Sequence, residues 1–197
     1  MTEHLGAALL AIITRWGYIG VAFLMTLESA CIPIPSELIM PFAGYLVFTG
    51  AMSVTGASLA GTAGCVLGSL IAYAVGASGG RAWLERHGHY LLVRPSDLNR
   101  ADQWFARHGE STVFFARILP VVRTFIALPA GIARMNLPRF VVYSAVGSYV
   151  WCAALVLIGA RLGRHWTSLA PYFHRFDLLI AGIAIGLAAW WVRQHLR

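Results

Sequence analysis

Apolar residues fill the chain from Leu5 to Leu27, with Arg15 the single charge among them. That stretch, 5–27, reads as an N-terminal helix, either tilted across a membrane with Arg15 snorkelling or lying in the interface. The next apolar stretch, 28–50, opens on Glu28 and is cut by Pro33 and Pro35. Residues 54–77 form an uninterrupted apolar run, long enough at ~1.5 Å per residue to cross a ~30 Å hydrocarbon core. Gly64 and Gly68 within it make a GxxxG pair that allows close helix contact. Residues 79–110 are polar and read as cytoplasmic amphipathic helices, one starting at Pro95-Ser96-Asp97 and ending at Gly109. Hydrophobicity returns over 111–135, broken by Arg117, Pro120, Arg123 and Pro129. A second clean span covers 138–160, and a last helix covers 178–193 with Trp190 and Trp191 at its interfacial end.

The two halves echo each other. Each has a proline-broken apolar segment ending in Ala-Gly (Ala43-Gly44, Ala130-Gly131), then a full span containing Gly-Ser (Gly68-Ser69, Gly147-Ser148) and closing on Gly-Ala (Gly76-Ala77, Gly159-Ala160). Paired broken segments in corresponding positions point to a transporter site between inverted repeats. The expected fold is therefore an all-α integral membrane protein in one domain, 1–197. Each half is a re-entrant, Pro-broken hairpin plus a transmembrane helix, with flanking N- and C-terminal helices.

Composition sharpens this picture. Charged residues make up 12% of the chain, against roughly 25% in a soluble domain. No acidic or basic residue occurs between Leu38 and Gly80. The net charge of +7 comes entirely from arginine. These arginines flank hydrophobic spans instead of forming a soluble patch, which argues for lipid headgroups and against nucleic acid. Placing 79–110 in the cytoplasm puts nine arginines on that side (81, 86, 94, 100, 107, 134, 139, 193 and 197). Arg161, Arg164 and Arg175 fall outside, against the trend. Both termini are then cytoplasmic. Cys31, Cys65 and Cys152 lie in apolar stretches without metal spacing and read as packing residues. Glu28 spoils a lipoprotein cleavage box at Leu27–Cys31, and no basic leader precedes it, so no cleaved leader is expected.

The chemistry concentrates at the breaks. Non-helical backbone at membrane depth survives only within protein or beside a wet cavity, so Pro33, Pro35 and Ser36 mark one re-entrant tip, with Ser36 as N-cap of the half-helix that carries Glu37 in its first turn. Pro120 and Thr124 mark the opposing tip, with Thr124 as a cap. Glu28 and Glu37 on one side and Arg117 and Arg123 on the other are costly to bury unpaired. Two guanidiniums beside two half-helix N-termini suit a phosphate. The same four residues could instead form a structural ionic latch, or share both roles. A carboxylate there can also exchange a proton: burial favours its neutral form and a guanidinium its charged form. His87, His89 and His108 lack a third ligand at helical spacing, so no metal is expected. No cofactor site, nucleophile–base pair, P-loop or HxxxH motif is present, which argues against an enzyme.

The run Glu28-x4-Pro33-x-Pro35-Ser36-Glu37 with Ala43-Gly44 resembles the first signature of the DedA family, also called the SNARE-associated or VTT-domain family. Phe105-x-Arg107-His108-Gly109, then Phe115-x-Arg117-x2-Pro120-x2-Arg123 and Ala130-Gly131, resembles its second signature, and Phe140, Trp151 and Gly159 continue the match. The resemblance covers roughly Trp16 to Gly163. It implies a bacterial inner-membrane protein that moves a phosphorylated lipid, undecaprenyl phosphate first among the candidates, with Arg117 and Arg123 binding phosphate and Glu28 and Glu37 coupling protons. Several relatives carry Asp at the second acid after a longer gap, which sets Glu37 apart from Glu28. The alternatives are a phosphatidylethanolamine flippase or scramblase, a proton-coupled exporter of small solutes, and a membrane scaffold without transport. The expected partners are a membrane lipid and protons, and a homo-oligomer stays open.

Overall fold

The computed structural model describes residues 2–32, 34–80, 95–119 and 122–163. Arg81, Arg86, Arg94, His87, His89, the tip prolines Pro33 and Pro120, and the expected C-terminal span 178–193 lie outside the described residues. Every regular element among the described residues is helical.

Helix α1 (Thr2–Trp16) and helix α2 (Tyr18–Ser29) replace the single N-terminal helix expected over 5–27. Gly17 separates them with φ +58°, a left-handed conformation that glycine adopts without steric cost. Glu28 therefore lies in the last turn of α2, on the arm that leads into the Pro33–Pro35 break. That helix ends in a Schellman motif. Ile32 N–H donates to the Leu27 carbonyl (3.2 Å) and Cys31 N–H to the Glu28 carbonyl (3.2 Å), with Cys31 at φ +68°. A non-glycine residue in this position is uncommon, and it turns the chain sharply into the Pro33–Pro35 break.

Helix α3 (Ser36–Phe48) follows and contains Pro41. Pro35 occupies its cap position and no side chain caps it, so Ser36 is the first helical residue and not the N-cap expected from sequence. Gly50, at φ +80°, closes α3. Helix α4 (Val54–Val75) is capped by the Ser53 hydroxyl, which accepts from Gly56 N–H, and it runs on through one π-helical turn to Gly80.

Helix α5 (Pro95–Ile118) does begin at the Pro95 signal, but it does not stop at Gly109. Gly109 lies inside the helix, 3.3 Å from the Met135 sulfur when given a notional Cβ, so here the glycine admits a neighbour instead of ending a helix. The boundary expected between the polar region and the second broken segment is thus absent, and the break falls after Ile118. Two short helices follow, α6 (Val122–Phe125) and α7 (Ala127–Ile132). Arg134, at φ +49°, closes α7 with a second non-glycine Schellman turn. Helix α8 (Leu137–Leu162) begins at Asn136, whose side chain accepts from Arg139 N–H.

α4 and α8 are long and apolar enough to cross a membrane, whereas α2, α3 and the Val122–Ile132 pair are apolar but too short. The outward face of α4 carries Leu59, Leu67, Ile71 and Val75, each more than half exposed. Its inward face is built from Ala57, Ser58, Gly61, Thr62, Gly64, Cys65, Gly68, Ser69 and Ala72. Large apolar groups outside and small or hydroxylated ones inside invert the soluble pattern and match helices packed in lipid.

Glycine sets the packing distances. Side chains at Gly64 and Gly68 would strike the Ala22 and Thr26 carbonyls of α2, so the GxxxG pair brings α2 onto α4. Gly44 of α3 meets Gly159 of α8, and Gly131 of α7 meets Gly76 at the end of α4. α4 and α8 also pack on each other at the centre, and α5 lies along α8.

Candidate functional site

The charged residues gather where two apolar clusters meet. Cys65 belongs to one cluster and lies 3.8 Å from Arg123 Nη2. Phe140 belongs to the other, with its ring centroid 6.0 Å from the Arg117 Cζ.

Glu28 is buried and accepts three hydrogen bonds. Arg123 Nη2 donates to its Oε2 at 2.8 Å, Ser29 Oγ to the same oxygen at 3.0 Å, and Thr124 Oγ to Oε1 at 2.8 Å. Cys31 Sγ approaches the Thr124 carbonyl at 3.6 Å. The two proline-broken segments therefore touch, although 95 residues separate Glu28 from Arg123 along the chain. Thr124 is not a helix cap: its hydroxyl is spent on the carboxylate.

Arg117 is 2% exposed and takes a different set of partners. Its Nη1 donates to the Arg123 carbonyl at 2.9 Å, and its Nη2 to Ser69 Oγ at 2.6 Å and Ser144 Oγ at 3.3 Å. These acceptors are neutral, so Arg117 brings its positive charge to the site while locking the backbone of the second break. Arg123 is also 2% exposed, and its Cζ lies 5.4 Å from the centroid of the Trp151 ring. Burying two guanidiniums needs compensation, supplied here by one carboxylate, one carbonyl, hydroxyls and two aromatic faces.

The expected site residues are thus brought together unequally. Glu28, Arg123 and Thr124 are in direct contact, and Arg117 joins them through the Arg123 carbonyl. Ser36 is buried at the start of α3, and Glu37 is half-buried in its first turn. Pro35 precedes them in extended backbone at φ −74°. His108 lies on α5 with its ring against Trp104, centroids 4.9 Å apart. The sequence reading missed Ser29, Ser69, Ser144, Cys65 and Trp151. Ser69 and Ser144 carried a signal: hydroxyl residues on the glycine-rich face of an apolar span are the natural partners of a buried cation.

The VTT-domain family model matches residues 34–161. The chain belongs to the VTT-domain family. Both break regions and both long helices fall within or beside the matched span. Undecaprenyl phosphate transporter A of Bacillus subtilis (strain 168) is 37% identical over 178 residues, covering 89% of this chain and 88% of that protein. Undecaprenyl phosphate transporter A of Staphylococcus aureus (strain NCTC 8325 / PS 47) is 31% identical over 177 residues, 88% of this chain and 87% of that protein. An alkaline phosphatase-like protein of Lactococcus lactis subsp. cremoris (strain MG1363) is 36% identical over 180 residues, 89% of this chain and 84% of that protein. No solved structure matches the chain. With its VTT-domain relatives and its two apolar, membrane-length helices, the chain is a membrane protein.

Proposed function

We propose that this protein translocates a phosphorylated lipid carrier, undecaprenyl phosphate or a close polyprenyl analogue, across the bacterial inner membrane. The observation that carries the reading is the buried junction at which Glu28 of the first broken segment holds Arg123 and Thr124 of the second. Arg117 and Arg123 hold the lipid phosphate through their guanidinium N–H donors. Glu28 engages Arg123 when the site is empty and releases it when phosphate enters, and Glu28 and Glu37 carry the coupled proton. The apolar tail stays in lipid while only the headgroup passes between the tips. The two relatives named as undecaprenyl phosphate transporters support this choice of lipid.

In this reading residues 28–50 and 111–135 are re-entrant hairpins of an inverted repeat. Two features support it. The half-length helices α2 and α3 cannot span ~30 Å by themselves, and the crossed contacts Gly44–Gly159 and Gly131–Gly76 pair each hairpin with the long helix of the other half. The arginine bias places both termini and residues 79–110 in the cytoplasm.

The test is leaflet accessibility of undecaprenyl phosphate in proteoliposomes, with Arg117→Lys and Arg123→Lys beside wild type. Lysine keeps the charge but loses the planar fork. We expect each variant to insert and fold yet lose at least tenfold in translocation. Well-folded Lys variants that translocate like wild type would leave the charges as a structural latch.

A further inference from the structure

Three shielded N–H donors at the junction find no acceptor among the described residues: Arg117 Nε, Arg123 Nη1 and Trp151 Nε1. The three residues are neighbours. Arg117 is tied to the Arg123 carbonyl at 2.9 Å, and the Arg123 guanidinium lies over the Trp151 ring. A fourth unpartnered atom, Ser58 Oγ, sits two helical turns along α4 from Cys65, at another level of the bundle. Unmade donors are costly in a buried setting, so a set of three calls for an explanation.

All three atoms can donate and none can accept. Each acceptor around them already takes at least one other donor. Glu28 takes Arg123, Ser29 and Thr124, while the Arg123 carbonyl, Ser69 and Ser144 take Arg117. The group that satisfies such a set brings several acceptor oxygens on one centre. A phosphate monoester does so.

We propose that Trp151 is a third ligand of the lipid phosphate, its indole N–H donating to a phosphate oxygen while its ring holds the Arg123 guanidinium by a cation–π contact. This rests on the phosphate-binding reading of Arg117 and Arg123. It adds a binding residue from α8, so the headgroup is gripped by a long helix as well as by the second break.

The experiment measures binding of farnesyl phosphate, a short-chain polyprenyl monophosphate, to the full-length protein in detergent by calorimetry, with farnesol as the phosphate-free control. Trp151→Phe keeps an aromatic face and removes the N–H. It should weaken farnesyl phosphate about 10-fold or more, the effect of losing a hydrogen bond to a charged group, and leave farnesol binding unchanged. In the 15N-labelled wild type, the indole resonance missing from Trp151→Phe should move downfield with farnesyl phosphate and stay still with farnesol; a packing role alone would not produce that shift. Should Trp151→Phe not fold, 3-benzothienylalanine at position 151, which exchanges N–H for sulfur at nearly constant shape, makes the same comparison. Wild-type affinity after loss of the N–H, with affinity lost in Arg123→Lys, overturns the role of Trp151 and leaves the arginine grip standing. Wild-type affinity in both variants overturns the phosphate reading and this inference with it.

Discussion

Arg123→Ala is the perturbation whose size follows most directly from the structure. Glu28 and Arg123 are paired at 2.8 Å with side chains only 6% and 3% exposed. Removing the guanidinium leaves the carboxylate in place with only the Ser29 and Thr124 hydroxyls among its described donors. Breaking a buried pair from one side typically costs ~3–5 kcal/mol, because the remaining charge stays desolvated. For a chain of this length each kcal/mol shifts the melting temperature by roughly 2–4 °C, so a fall of about 6–20 °C is expected. The double variant Glu28→Gln/Arg123→Met removes both charges at similar volume and should recover most of that loss. The carboxamide introduced at position 28 would still accept at its oxygen, and the Thr124 hydroxyl can reverse to accept from its amide group. Thermal unfolding in detergent measures both effects, and translocation in proteoliposomes is measured on the same preparations. The double variant should be stable and inactive. A single Arg123→Ala variant melting within about 2 °C of wild type would refute the buried pair, since that is at most about 1 kcal/mol at this chain length. A stable double variant with full translocation would refute the functional role of these charges.

Gly159→Ala should destabilise the protein by about 1–3 kcal/mol, because the new Cβ would lie 2.6 Å from Pro41 Cα and closer still to its carbonyl oxygen; Gly79→Ala, with nothing within 4 Å, should melt like wild type. Equal melting temperatures for the two would show that α3 does not pack on α8 through this glycine. Single cysteines at Asn99 and at Ser53, in a Cys-free background, should label from the cytoplasmic and periplasmic sides respectively. Labelling of position 99 by an impermeant reagent in intact spheroplasts would reverse the orientation.

The amino-acid sequence by itself determined where the chain is apolar, where proline interrupts it, and which four charged residues lie in or beside the interruptions. Those properties are local: a run of apolar side chains or a missing backbone donor acts within a turn or two. It also set out the repeated Ala-Gly and Gly-Ala pairs, though not what each glycine does. Glycine has two physical uses, freeing the backbone and admitting a neighbour, and they look alike in a sequence. Gly17 breaks a helix through its positive φ, while Gly109 sits within one beside Met135. Cys31 and Arg134 end helices in a conformation that their side chains disfavour, so no local signal marked those ends. Only the tertiary structure decided that Arg123 takes Glu28, that Arg117 takes Ser69, Ser144 and a carbonyl, and that Trp151 stands beneath the guanidinium. These choices depend on how closely glycine-faced helices approach across many tens of residues of chain, a distance that neither periodicity nor spacing encodes.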